Sequence, residues 1–182
     1  MPTAIVTGAA RELVRALAAA GWSVVTTARD PATGKPLPDS AINTPGARET
    51  VVVPGDITEP AHRDRLIAAA DARGGAALVV HDIGAPDPPG VLACLPVPAL
   101  RVAFERAVTA PFALTQLALP ALRHHRGAVV TITSGSASGI CLAAVEQLGK
   151  VLSREEPAVR VWLARVGGGV SPRSSRCWHR TG

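Results

Sequence analysis

Residues 3–11, Thr-Ala-Ile-Val-Thr-Gly-Ala-Ala-Arg, decide the fold prediction for this chain. A short run rich in β-branched and apolar residues ends at Thr7, Gly8 follows, and an alanine- and leucine-rich segment comes next. Apolar runs without polar alternation suit strands that are buried on both faces, as in a parallel sheet covered by helices. The stretch therefore predicts a strand, a tight turn and a helix in immediate succession.

The same alternation continues along the chain. Strands are predicted at six places: Thr3–Thr7, Trp22–Ala28, Thr50–Val53, Ala76–His81, Ala128–Thr133 and Val159–Leu163. Alternating strands and helices are typical of an α/β fold. We expect a Rossmann-like doubly wound parallel sheet of about six strands in residues 1–170, followed by a basic, disordered tail in residues 171–182.

Helical periodicity and punctuating residues set the other elements. Three helices are predicted: Ala9–Ala20, Leu100–Arg123 and Ile140–Arg154. Gly21 is expected to stop the first helix, Pro111 to kink the second, and Pro120 to terminate it. The proline-rich segment Asp30–Glu49 is predicted to be a loop or at most a broken helix, and Asp82–Pro98 is similar.

Composition excludes several classes of protein. With 47% hydrophobic and 18% charged residues the chain is not of a disordered type. No apolar run is long enough to span a membrane, and the three cysteines form no metal-binding pattern, so we expect a cytoplasmic chain without membrane or metal. Of the net charge of +5, three charges come from arginines in residues 171–182, and aromatic residues are few, which argues against nucleic-acid binding.

Residues 3–11 resemble the first strand and phosphate turn of the short-chain dehydrogenase/reductase family, whose motif is TGxxxGxG. The resemblance implies that Thr7 and Gly8 contact the pyrophosphate of a nicotinamide cofactor. Residues 12–14, Glu-Leu-Val, stand where the family has further glycines, and the connection to Gly21 is about four residues shorter, roughly one helical turn. Cofactor binding is therefore expected to be weak or lost.

The segment after the second strand, Ala-Arg-Asp at residues 28–30, resembles the family's selector for the adenosine ribose. Arg29 at this position implies NADP rather than NAD, because an arginine can pair with a 2′-phosphate. An ordinary solvated pair of Arg29 and Asp30 at a strand end is an equal alternative.

Two later segments extend the nucleotide-binding resemblance. Asp56 and Ile57 resemble the family's element near the adenine, although a loop cap at Asp56 is as plausible. The family has Asn-Asn-Ala-Gly after the fourth strand, where residues 81–84 here are His-Asp-Ile-Gly, so that only Gly84 is retained. We expect His81 to be a strand-end residue rather than a base or a ligand.

The catalytic half of the resemblance is incomplete. Residues 127–134 resemble the family's fifth strand, which ends in the serine that polarises the substrate carbonyl, here Ser134. Alignment on residues 143–148 places Ser138 and Leu142 at the positions of the family's catalytic Tyr and Lys. Residues 104–120 resemble the family's long fourth-crossover helix, with Ala107 at the position of its relay Asn. Without partners, Ser134 is also consistent with a plain turn hydroxyl.

The resemblance spans residues 3–169 in order and implies three hypotheses. The leading one is an NAD(P)-dependent oxidoreductase scaffold, related to enzymes that transfer hydride between a nicotinamide cofactor and a small carbonyl or alcohol, with its catalysis impaired. The second is a non-catalytic nucleotide-binding module or a partner in a dimer or other homo-oligomer. The third is a truncated, non-functional product that lacks the family's final strand.

Overall fold

Strand β1 lies inside a parallel sheet, in a computed structural model that describes residues 1–8, 10–27, 50–84, 94–134 and 139–166. The sheet has the order β3-β2-β1-β4-β5-β6, and all neighbouring strands in it are parallel. Its strands are β1 (Thr3–Thr7), β2 (Ser23–Thr26), β3 (Thr50–Val52), β4 (Ala76–Gly84), β5 (Ala128–Ser134) and β6 (Arg160–Val166). The predicted doubly wound sheet of six strands is confirmed.

Helices cover both faces of the sheet. They are α1 (Arg11–Ala19), α2 (Pro60–Asp71), α3 (Val97–Phe104), α4 (Ala110–His125) and α5 (Ile140–Glu155), and a π-helical segment (Glu105–Thr109) joins α3 to α4. Buried residues of α1 pack on one face of the sheet, whereas those of α2 and α4 pack on the other. None of the described helices is long and apolar enough to cross a membrane.

The six predicted strands are all present: β1 has the predicted ends, and the other five differ at one end or both. Strand β4 continues three residues past His81 to Gly84, and α3 begins at Val97, so the predicted loop at residues 82–98 is shorter than expected. Helix α2 has no counterpart among the helices named from the sequence. Residues 28–49 and 167–182 lie outside the described part, so the first proline-rich loop, the tail and the missing final strand stay predictions.

The two prolines of the predicted long helix have different outcomes. Pro111 has no N–H to bond the carbonyl of Ala107, and the helix before it is π-helical, with the Ala110 amide bonded to the Glu105 carbonyl. Pro120 was predicted to end the helix, and this is wrong, because α4 continues to His125. Pro120 is exposed, as is Gln116, so the carbonyl that loses its partner can be hydrated, while buried Ala118 and Leu122 hold the helix on the sheet.

Two apolar clusters, one on each face, hold these layers together. On the α1 face, Ala4, Val6 and Val24 pack with Val14 and Ala18 of α1. On the other face the fully or almost fully buried members include Ile5, Val79, Leu66, Leu114 and Leu122. Burying each such side chain contributes about 1.5–3 kcal/mol to the free energy of unfolding. All five residues of β1 are buried, since both clusters draw on this strand.

The end of α1 follows the prediction for Gly21. The amides of Gly21 and Trp22 bond the carbonyls of Ala18 and Leu17 at 3.1 and 3.0 Å, and Gly21 has φ +88°. This pattern is the Schellman motif, in which a glycine adopts the left-handed conformation just past the helix. The short helix therefore ends at a definite residue.

We predict that Gly149→Ala stabilises the protein by about 1 kcal/mol, since glycine inside a helix costs that much relative to alanine. Gly149 lies within α5, and a Cβ there would meet Val161 Cγ1 at 3.7 Å, an ordinary contact. Urea unfolding measures the change. Gly127→Ala is the control, because its Cβ would lie 2.4 Å from the Ala77 carbonyl oxygen and must destabilise the protein. An unchanged or lower midpoint for Gly149→Ala would contradict the prediction.

Candidate functional site

The candidate site lies where β1 and β4 end side by side. These strands are neighbours, yet the helix that follows β1 packs on one face and α4, which follows β4, packs on the other. In an open parallel sheet, a crevice forms outside the carboxyl ends of two strands whose connections leave on opposite faces. Thr7, Gly8 and Gly84 all come from these two strand ends.

Gly8 forms the turn after β1 and has no steric room for a side chain. Its φ is +94°, and a Cβ would lie 2.0 Å from the carbonyl oxygen of Asp82 in β4. The residue is exposed to solvent, and α1 begins three residues later without a capping side-chain hydrogen bond. The turn thus combines a close backbone approach with a helix N-terminus, the two features that pyrophosphate turns use.

The end of β4 is stabilised by a hydrogen bond between two of its own residues. Gly84 has φ +58°, and its amide donates to Asp82 Oδ1 at 3.3 Å. Both residues are half-buried, and Asp82 lies beside Gly8. Asp82 therefore accepts a hydrogen bond at the strand end with its side chain and approaches the turn after β1 with its backbone.

Asp56 and Ile57 follow β3 at the edge of the sheet. Asp56 Oδ1 accepts the amide of Thr58 at 3.0 Å, and the Asp56 carbonyl accepts the amide of Glu59 at 2.9 Å, so the residue forms an Asx turn. Ile57 packs against the core, and its carbonyl accepts from Arg63 at 2.7 Å. The loop-cap alternative for Asp56 thus has direct geometric support, which does not exclude contact with an adenine.

Three buried side chains join β1, β4 and α4, and we call them the Thr7–His81–Thr115 bridge. Nδ1 of His81 lies 3.2 Å from Thr7 Oγ1, and Nε2 lies 2.9 Å from Thr115 Oγ1. Each of the three residues is at most 4% exposed. Thr7 and His81 are also direct partners in the sheet register. The hydroxyl of Thr7 is therefore engaged beneath the turn, on the side of α4.

His81 is neutral at physiological pH because burial lowers its pKa from 6.5 to about 4. It also borders a cavity of about 50 Å³ between α4, α5 and the sheet, with space for a few water molecules. The cavity is lined mainly by apolar side chains, with Thr115 and Thr131 as its other polar residues. The prediction that His81 ends its strand is wrong, because β4 continues for three more residues to Gly84.

Two residues that the sequence alignment proposes for the family's catalytic positions are apolar. Leu142 in α5 is 5% exposed, and Ala107 in the π-helical segment is 4% exposed and lines the cavity. Neither can donate or accept a proton with its side chain. The backbone of Ser134 ends β5, paired with Val166 of β6. Ser138 and Arg29 lie outside the described residues.

The Thr7–His81–Thr115 bridge was missed in the sequence. Thr115 occupies the buried face of α4 between Leu114 and Ala118, where its hydroxyl interrupts an apolar stripe. A histidine inside an apolar strand is a second such interruption. The sequence signal for the bridge was a polar residue in each of two otherwise apolar segments, His81 in a strand and Thr115 in a helix. These residues are 34 positions apart, and no local pattern indicates that they are in contact.

We predict that Gly8→Ala destabilises the protein by about 2 kcal/mol or more. The left-handed conformation alone costs about 1–2 kcal/mol for an alanine, and the collision with Asp82 adds to it. Gly21→Ala is the matched control, because Gly21 has φ +88° but nothing within 4 Å of its Cβ. Urea unfolding of both variants measures the difference. Equal losses would contradict the close approach.

We also predict that the protein becomes less stable as the pH is lowered, because of His81. Its folded pKa, about 4, lies below the unfolded value of 6.5, so between these values the unfolded chain binds a proton that the folded chain does not. Stability is thus highest above pH 6.5 and decreases as pH falls towards 4, by about 2 kcal/mol between pH 7 and pH 5. Unfolding of wild type and His81→Asn at both pH values isolates this contribution. Identical pH dependence in the two proteins would refute it.

Comparison with known proteins agrees with this geometry. A family model described as short chain dehydrogenase matches residues 2–150. No curated protein matches the chain. A short-chain dehydrogenase from Streptomyces avermitilis is 27% identical with a TM-score of 0.73, and 94% of this chain covers 72% of that one. A short-chain dehydrogenase/reductase from Burkholderia xenovorans is 26% identical with a TM-score of 0.76, covering 94% and 76% of the two chains.

A third solved structure shows the same fold with a nucleotide. It is an NADH-dependent reductase, A1-R′, complexed with NAD, with 17% identity, a TM-score of 0.77, and coverage of 96% of this chain and 82% of that one. The order of the strands, the glycine turn after β1 and the family model over residues 2–150 lead to the same assignment. The chain belongs to the short-chain dehydrogenase family.

Proposed function

We propose that this chain is an oxidoreductase scaffold that binds a nicotinamide nucleotide weakly and does not carry out hydride transfer at an appreciable rate. The main observation in favour of nucleotide binding is the conformation of Gly8. Its φ is +94°, and it lies close to the Asp82 carbonyl at the point where the connections of the sheet change faces. The same constraint on the backbone lets an anion approach the turn without meeting a side chain.

The residues around the crevice fit parts of a nicotinamide dinucleotide. Gly8 and the first turn of α1 would hold the pyrophosphate, Asp56 and Ile57 would border the adenine, and Gly84 the nicotinamide ribose. Arg29 favours NADP over NAD by its charge. The bound nucleotide would supply the hydride chemistry of the family. These assignments place the nucleotide across the carboxyl ends of β1, β3 and β4.

Two features argue for weak binding. Glu12 is exposed in the first turn of α1, where its negative charge opposes that of a phosphate. Because water screens the pair, we expect a cost of about 1 kcal/mol rather than the larger value of a buried pair. The turn between β1 and α1 also lacks the family's later glycines. Dissociation constants in the millimolar range follow.

Impaired catalysis is inferred from the side chains that remain. The chain has no tyrosine, and its two lysines are Lys35 and Lys150. Lys150 is exposed and lies eight residues beyond buried Leu142, about 12 Å along α5. A proton donor with a lowered pKa normally contributes about 10²- to 10⁴-fold to such reactions. Ser134 alone would leave the small carbonyl or alcohol substrate without an acid or a base.

A partner role in a homo-oligomer is the second candidate. Several apolar side chains on α3, α4 and α5 are 39–59% exposed: Val97, Val102, Phe112, Leu117 and Ile140. Exposed apolar side chains of this kind are used in contacts between protein chains. A non-catalytic subunit would be a dimer whose mass does not depend on nucleotide.

The test is a titration of the purified chain with NADPH and with NADH, followed by nucleotide fluorescence and melting temperature. We expect saturable binding at millimolar concentrations, tighter for NADPH, and no turnover of a panel of aldehydes, ketones and alcohols. Light scattering in the same samples measures the oligomeric state. Micromolar binding would show that the nucleotide is not bound weakly, and measurable turnover would show that catalysis is not lost. The absence of saturable binding would show that the chain is not a nucleotide-binding scaffold.

A charge variant sharpens this experiment. Glu12→Gln should tighten NADPH binding about three- to tenfold, since about 1 kcal/mol of repulsion is removed. Glu155→Gln is the matched control, because it makes the same change in net charge at an exposed position at the far end of α5. If both variants bind equally well, Glu12 does not lie beside the phosphate.

A further inference from the structure

The Thr7–His81–Thr115 bridge occupies an unusual place, directly below the turn that the proposed function assigns to the nucleotide. Both ring nitrogens of His81 contact a hydroxyl, at 3.2 and 2.9 Å. One hydroxyl belongs to the last residue of β1 and the other to α4. The ring therefore connects the residue before Gly8 with a helix on the opposite side from α1.

The contacts of the bridge select one form of the imidazole. A neutral imidazole has one nitrogen that donates and one that accepts. Thr7 Oγ1 also lies 3.4 Å from the carbonyl oxygen of Val80, which can only accept. If Thr7 donates to that carbonyl, Nδ1 of His81 must donate to Thr7, and Nε2 must accept from Thr115. All three contacts are then used.

The other form uses fewer contacts. With the hydrogen on Nε2, the ring donates to Thr115, and Thr7 must give its single hydrogen to Nδ1. The contact between Thr7 and the Val80 carbonyl is then left without a hydrogen. Burial of all the groups makes an unused contact unfavourable.

We propose that His81, with its hydrogen on Nδ1, is a positioning residue for the nucleotide turn. A directed chain of hydrogen bonds runs from Thr115 to His81, from His81 to Thr7, and from Thr7 to the Val80 carbonyl. It fixes the end of β1 from the side of α4 and touches no part of the nucleotide.

The neighbouring residue strengthens this arrangement. The side chain of His81 contacts Thr7, and the carbonyl oxygen of Asp82 approaches Gly8 so closely that it leaves no room for a Cβ. Two consecutive residues of β4 thus lie against the last residue of β1 and the first residue of the turn. A change at Thr115, in α4, should therefore be felt at Gly8. The effect on nucleotide affinity rests on the proposed function, whereas the form of the ring and the position of the turn do not.

The test uses nuclear magnetic resonance of the full chain labelled with ¹⁵N. Long-range ¹H–¹⁵N spectra report which ring nitrogen of His81 carries the hydrogen, and the Gly8 amide reports the turn. Thr115→Val removes the hydroxyl at nearly constant volume, and Thr115→Ser restores a hydroxyl. Thr131→Val is the control, because Thr131 lines the same cavity and makes none of the three contacts.

In the wild type we expect a single neutral form with the hydrogen on Nδ1. Thr115→Val should abolish that preference, shift the Gly8 amide and weaken NADPH binding at least threefold, while Thr115→Ser and Thr131→Val stay close to the wild type. A hydrogen on Nε2 in the wild type would overturn the inference even if Thr115→Val does not fold. So would a folded Thr115→Val with unchanged ring and Gly8 signals. If the wild type binds no NADPH, the proposed function fails, and the ring and Gly8 signals still decide the bridge.

Discussion

The side-by-side contact of β1 and β4 is the constraint on which the rest of the fold depends. β1 is buried along its whole length and supplies residues to both apolar clusters. Because α1 and α4 pack on opposite faces, neither helix covers the ends of these two strands. A crevice at this point follows from the winding of the chain, whatever side chains line it. The close approach of Gly8 to Asp82 is the local form of the same constraint.

In the proposed alignment, two of the family's catalytic side chains are replaced by residues that join the core. Leu142 and Ala107 are buried and apolar, so they need no partner when no ligand is bound. A lysine at a buried position would be costly without a compensating charge. Catalysis therefore favours a charged or polar side chain at these positions, whereas stability favours an apolar one. A chain without the tyrosine and lysine can keep the six-stranded sheet, and retention of the fold says little about retention of activity.

The sequence was sufficient for the order of the strands and insufficient for contacts between distant elements. Apolar runs without polar alternation marked the inner strands such as β1, since strands buried on both faces have no polar side, whereas β6 carries Arg160 and is partly exposed. The termination at Pro120 was wrong because the rule for proline ignores the exposure of the freed carbonyl, which depends on packing. Gly8 was placed through its motif, but its contact with Asp82 was not. His81 and Thr115 are 34 residues apart, and no local pattern relates them.

A polar bridge adds direction to the apolar packing at the start of α4. Leu114, next to Thr115, lies in the core with Ala118 and Leu122, and the helix borders a cavity on the side of Ala107. Apolar contacts have no preferred direction, so they alone do not fix the orientation of α4 against β4. Hydrogen bonds to both nitrogens of a neutral ring fix distance and direction together. Burial lowers the pKa of His81 and keeps its ring neutral, so that the contacts with Thr7 and Thr115 link α4 to the two strands that the backbone ladder already joins.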